Sequence, residues 1–163
     1  IQVEGWIDSR WADWFYPLTL TTGHTGDGKA ALQQVDVLRT EGVSPSAWIW
    51  VHAQNEQNAE IHFQVARTGA WVEFDGVSPS SIDRHIELVK SMRNADLLNH
   101  VLISHDAGWY SVGEPRGGNV RGFGTLFSTL VPALSRAGLT ANEIDQLIVS
   151  NPARAFAIGK RVL

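Results

Sequence analysis

Cysteine is absent from the 163 residues, so disulfides, thiolate metal sites and cysteine nucleophiles are all excluded. That absence fits a reducing or an oxidising compartment equally, and localisation stays unassigned. No run of Lys or Arg appears, and 13 basic against 17 acidic residues leave a net charge of −4. Nucleic acid is therefore not an expected partner. No window approaches the ~20 consecutive apolar residues that cross a bilayer, so a soluble chain with no membrane partner is expected. There is no charged-then-apolar leader and no initial Met; the chain opens at Ile1 and its one Met is Met92. The reading therefore expects upstream sequence to have been removed, and leaves open whether a signal peptide was part of it. A G-x-S-x-G elbow is missing, and the Gly-rich stretch Gly113–Gly124 has neither a Walker ending nor a strand-to-helix G-x-G-x-x-G. A serine hydrolase and a phosphate cradle are accordingly not expected.

What is present is a regular alternation. With 44% apolar residues the chain can build one core, and no linker or composition break divides it. Residues 1–163 read as a single unit, with 1–17 aromatic-rich (Trp6, Trp11, Trp14, Phe15, Tyr16) and otherwise poorly assigned. Short β-forming runs at Leu18–Thr22, Trp48–Val51, Trp71–Phe74 and Val101–Ser104 read as strands. Between and after them come helical patterns at Lys29–Thr40, around Glu56–Arg67, at the Ile82, Ile86, Val89, Met92 stripe, and at about Thr125–Ala137. Gly42, Gly69 and Gly138 mark helix ends. Thr140 with Glu143 makes a capping box, and Asn151-Pro152 reads as an N-cap followed by a first-turn proline. The pattern predicts an α/β fold of parallel strands with crossover helices. A doubly wound sandwich and half of a (β/α)8 barrel both satisfy it.

The strand ends carry the chemistry. His24, His52, Asp75 and Asp106 follow the four apolar runs at steps of 28, 23 and 31 residues, the length of one strand-plus-helix unit. In a parallel barrel the carboxyl ends of the strands meet at one mouth. His24, beside Gly23, and His52 are imidazoles suited to zinc or manganese. Asp106 closes an apolar strand, where a carboxylate is costly to bury without a cation. Glu73 and Asp75 lie two apart on the third strand and share a face, placing them against substrate or behind a metal ligand. In the long loop after Asp106, Trp109, Tyr110, Arg116 and Arg121 are substrate-facing candidates. His62, His85 and His100 fall on helices or their ends and read as surface residues.

Gly23-His24-Thr25-Gly26-Asp27-Gly28, Glu41-Gly42-Val43-Ser44-Pro45-Ser46, Val51-His52, Ile103-Ser104-His105-Asp106 and Val149-Ser150-Asn151-Pro152-Ala153-Arg154 occur in that order. In this they resemble the C-terminal half of the phosphotriesterase-like family of the amidohydrolase superfamily, over about residues 18 to 160. The resemblance implies strands 5–8 of a (β/α)8 TIM barrel. It places two imidazole ligands of one metal on His24 and His52, and a carboxylate ligand of the other on Asp106. It also implies two divalent metal ions, zinc being the expected metal. The family's first-strand His-x-His and its bridging Lys or Glu do not occur in these residues. Asn55 stands where the phosphotriesterases have an acid, and Gly76 follows Asp75 where they have a His.

The expected function is therefore a fragment of a binuclear metal-dependent hydrolase. It would act through a metal-activated water on a small ester-like substrate: a lactone, carboxylic ester or phosphoester. Asp106 would accept the water's proton. The segment alone is expected to be inactive, and a homodimer of the intact protein stays open. The rival expectations are a half-barrel subunit that pairs with a separate chain, and a non-catalytic, flavodoxin-like binding domain.

Overall fold

A computed structural model describes residues 27–157. The expected strand at Leu18–Thr22 and its His24 lie outside these residues. The first two described helices each start where a side chain satisfies an orphan amide. The Asp27 carboxylate accepts from Lys29 N at 2.8 Å and opens α1 (Gly28–Thr40). The Asn58 side chain opens α2 (Ala59–Arg67), and α3 spans Ile82–Asn94. Gly42 (φ 70°) and Gly69 (φ 95°) follow α1 and α2 in the left-handed conformation, as the helix-stop reading requires. The strands are β1 (Ile49–Trp50), β2 (Trp71–Phe74) and β3 (Val101–Ile103), each shorter than or equal to its predicted run.

The strands form one parallel sheet in the sequential order β1-β2-β3. Register pairs Trp50 with Val72 and Val72 with Val101, so these side chains share a face. With Phe74 they pack against Val65, Ala66, Leu88, Val89, Met92, Leu130 and Leu134 from the helices. Burying each such side chain contributes about 1.5–3 kcal/mol. Ile49, Trp71 and Leu102 lie on the opposite face, packed with Ala155. Glu73, paired with Leu102, shares that second face.

The C-terminal helices differ from the sequence expectation. A wide π-helical turn, Leu126–Leu130, runs directly into α4 (Val131–Arg136). A second one, Gln146–Ser150, joins α5 (Ala141–Asp145) to α6 (Asn151–Ala155). Each wide turn ends just before a proline, Pro132 or Pro152. A proline ring clashes with the carbonyl four residues earlier, here Ser128 or Ile148, and the wider turn shifts that carbonyl away. Asn151 is consequently not an N-cap. The helix begun by the Thr140–Glu143 capping box continues through it, and its fully buried side chain donates to Leu98 O and Val101 O, both at 2.8 Å.

His62 and His85 are also not surface residues, since each is only 1% exposed. His62 lies on the stripe of α2 that holds Val65 and Ala66, between the rings of Trp50 and Phe74, with Nε2 2.7 Å from Ala53 O. Burial holds its pKa below the ordinary histidine value. His85 sits on the α3 stripe with Leu88, Val89 and Met92. His100 is half-buried beside Trp71.

Candidate metal centre

Every polar group gathered here comes from the carboxyl side of a strand. His52 follows β1 by two residues, Asp75 follows β2 directly, and Asp106 stands three residues beyond β3. Parallel pairing brings these segments side by side. One ligand atom from each of His52, Asp75 and Asp106 lies within 4.8 Å of the others. Two of the three, His52 (φ 57°) and Asp106 (φ 44°), have left-handed backbones that side-chain-bearing residues seldom adopt.

Asp75 is the buried hub, 3% exposed. One of its oxygens accepts from His52 N–H at 2.7 Å. The other is 2.8 Å from His52 Nδ1 and accepts from Gln54 Nε2 at 2.7 Å. Its own amide donates to Gln54 Oε1 at 3.1 Å, and its carbonyl meets His85 Nε2 at 2.9 Å. Both carboxylate oxygens thus have hydrogen-bond partners. With Nδ1 donating, an imidazole carries its lone pair on Nε2, the atom that would ligate a metal. Gln54 carried no signal in the sequence, because its part depends on how the loop after β1 turns.

Glu73 stands next to this cluster. Burial pushes its pKa up, a hydrogen bond from the Ser104 side chain opposes that, and the nearby Asp75 charge adds to the rise. Beyond Asp106 the chain folds back on the strand end. Arg121 donates to the carbonyls of His105 and Asp106, and Trp109 Nε1 donates to Asp106 O at 3.1 Å. His105 Nε2 accepts from Leu126 N–H at 3.0 Å, so its proton is on Nδ1. Burial, with the Arg121 charge, holds its pKa down.

The predicted site residues are therefore gathered unevenly. His52, Asp75 and Asp106 converge, with Glu73 alongside. Trp109 is 71% exposed but tied to the Asp106 backbone. Tyr110 is exposed and covers Gly117, where any Cβ would run into its ring. Arg116 is exposed with a left-handed backbone, and Arg121 bonds main-chain carbonyls. His24 lies outside the described residues.

The donor set, one imidazole nitrogen and carboxylate oxygens, suits a divalent ion such as zinc, which binds such atoms at about 2.0–2.2 Å. Ligands of one ion are then at most about 4.4 Å apart. The cluster is near that limit, and the hydrogen-bonded Asp75 fits behind His52 better than on the ion.

The phosphotriesterase family model matches residues 17–156. The phosphotriesterase homology protein of Escherichia coli is 27% identical over 136 residues, covering 82% of this chain and 46% of that protein. The phospho-furanose lactonase of Mycoplasmopsis synoviae is 26% identical over 149 residues, covering 85% and 41%. Among solved structures, the same E. coli protein, complexed with phosphate in its active site, superposes with a TM-score of 0.67 at 26% identity, covering 78% of this chain and 44% of that one. A lactonase from Listeria monocytogenes superposes with a TM-score of 0.70 at 24% identity, covering 82% and 43%. The chain spans a little under half the length of the relatives it matches.

Proposed function

This chain belongs to the phosphotriesterase family, and from that premise we propose that it forms strands five to eight of a (β/α)8 barrel whose mouth hydrolyses small ester-like substrates with two divalent ions, zinc the expected metal. The observation that carries the reading is the convergence of His52 and Asp106 at the carboxyl ends of parallel strands, with Asp75 bonded to His52. The sequential strand order supports a barrel segment over the reordered sheet of a binding domain. Relatives named as a lactonase and a phosphotriesterase homologue support the ester-like substrate class.

A divalent ion at this mouth supplies Lewis acidity, which makes water nucleophilic near neutral pH and polarises a carbonyl or phosphoryl group. His52 would hold one ion through Nε2, together with His24. Asp75 fixes the His52 ring and its tautomer. Asp106 would bind the second ion and take the proton of the attacking water on its carboxylate. Glu73, Trp109, Tyr110, Arg116 and Arg121 border the mouth or its loop as the substrate-side residues, Arg121 by holding the loop against Asp106. The family's His-x-His strand and bridging Lys or Glu would come from further sequence or from a second chain. The 163 residues alone would bind metal weakly and not turn over.

The test is hydrolysis of a lactone, an aryl carboxylic ester and a phosphotriester with zinc or manganese, by the chain alone and combined with a chain supplying strands one to four. We expect activity only in the combined form, abolished by His52→Ala and by Asp106→Asn. Undiminished activity in those variants, or inert combined protein on all three substrates, overturns the hydrolase reading. Substantial zinc-dependent turnover by the isolated chain overturns the half-barrel reading.

A further inference from the structure

One residue of the loop after β1, Glu56, bonds to the units on either side. It stands four positions after His52, and Gly28, the first residue of α1, stands four positions after His24. One carboxylate oxygen of Glu56 accepts from Gly28 N–H at 3.1 Å, 28 residues away in the chain. The other accepts from Asn58 N–H at 2.7 Å, at the entry to α2. The main-chain carbonyl of Glu56 accepts from the Arg84 guanidinium of α3 at 3.1 Å. Three successive strand-plus-helix units thus meet at a single side chain and its own carbonyl. The hydrogen bond from Asn58 chiefly, with those from Gly28 and Gln57, holds the Glu56 pKa below the ordinary value against the opposing effect of burial. The resulting anion faces the positive end of α1.

Gly28 shows how closely the two segments approach. It is buried, and a Cβ on it would lie 2.5 Å from Ile61 Cγ2 and 2.6 Å from Glu56 Oε2. Its backbone is not left-handed, so no turn geometry asks for glycine here, and glycine is a poor helix former. What glycine supplies at this position is room for Glu56 and Ile61.

We propose that Glu56 is a positioning residue of the candidate metal centre, its carboxylate setting the spacing between the segments that carry His24 and His52. The inference rests on the reading in which those two imidazoles share one ion. Zinc accepts imidazole nitrogens only at about 2.0–2.1 Å, so two ligands from separate segments must be brought into register. A bond between the segments orders them before the ion arrives, and the ion then has less conformational freedom to remove.

The experiment compares the wild-type chain with Glu56→Ala, Gly28→Ala and Asp27→Ala. Gly28→Ala leaves Glu56 in the chain and pushes its carboxylate aside, so it tests the same clasp should Glu56→Ala fail to fold. Asp27→Ala removes a cap from the same helix, but the bond it loses, to Lys29 N–H, lies within one segment. Because the chain has no cysteine, spin labels on the exposed positions Lys29→Cys and Gln57→Cys report the spacing with no metal present. Glu56→Ala and Gly28→Ala should broaden the distance distribution, and Asp27→Ala should not. Zinc titration, followed at the His52 ring signal, should show about tenfold weaker binding in the first two and wild-type binding in Asp27→Ala. A distribution unchanged in Glu56→Ala and Gly28→Ala overturns the clasp. A broadened distribution with wild-type zinc affinity, or equal weakening in Asp27→Ala, overturns the positioning role. A His52 signal that zinc moves in no variant, the wild type included, overturns the shared-ion reading and the positioning role with it.

Discussion

The two ends of the same three strands solve opposite problems. At the carboxyl ends, Asp75 is surrounded by donors, and the backbone at His52 and Asp106 is strained to bring their side chains together. At the amino ends, Trp71, His100 and Asn151 have strand or helix geometry of the ordinary kind, yet each holds a buried polar atom with no partner. One end has invested backbone strain to complete its hydrogen bonds, and the other has relaxed backbone with bonds unfilled. Chemistry that moves protons needs fixed groups, and only the carboxyl end supplies them.

Substitutions at each end should separate the two. Asp106→Asn has the largest expected effect, a loss of roughly 10²–10⁴-fold in turnover by the combined form, read as kcat at saturating substrate. Retention of the wild-type rate would remove Asp106 from the chemistry. Asp75→Asn should weaken zinc binding by about 10–100-fold, measured by competition with a chelating dye, because His52 loses the carboxylate that fixes its tautomer. At the other end, Asn151→Ala should leave zinc affinity unchanged but destabilise the fold by about 2–4 kcal/mol in urea, since Leu98 O and Val101 O lose their shared donor.

The pH dependence follows from His62 and His100, whose folded pKa values lie below the ordinary 6.5, chiefly through burial. Above that pH both rings are neutral whether folded or not. As pH falls below it the unfolded chain takes up protons first, so stability declines toward acid pH. Urea midpoints on either side of neutrality should show the decline, and His62→Gln should flatten it. A slope unchanged in that variant would place the titration elsewhere. The smallest effect belongs to a position remote from both ends. Gly42→Ala forces a left-handed alanine where nothing lies within 4 Å, which should cost about 1 kcal/mol in urea and nothing else.

Much of this organisation is legible in the sequence. Strands ended where short apolar runs met His52, Asp75 and Asp106, and α1 and α2 ended at the glycines expected. The capping box at Thr140 is present with both its hydrogen bonds. The failures have physical causes. Asn151-Pro152 has the letters of a helix start, but a wide turn lets the preceding helix absorb the proline. Residue type alone puts His62 and His85 on the surface, whereas Val65 and Ala66, or Leu88, Val89 and Met92, at helical spacing mark the buried stripe that holds them. Gln54 was not legible, since its two bonds to Asp75 depend on a loop conformation that no local pattern specifies.

The left-handed backbones of His52 and Asp106 have an evolutionary consequence. Glycine would relax both positions, each of which carries a conformational cost on the order of 1 kcal/mol. Random drift acting on foldability alone would therefore erode both side chains first. A lineage that keeps them at these positions is one in which natural selection opposes the downhill path, and their disappearance in a descendant would be an early mark of a barrel released from its chemical duty.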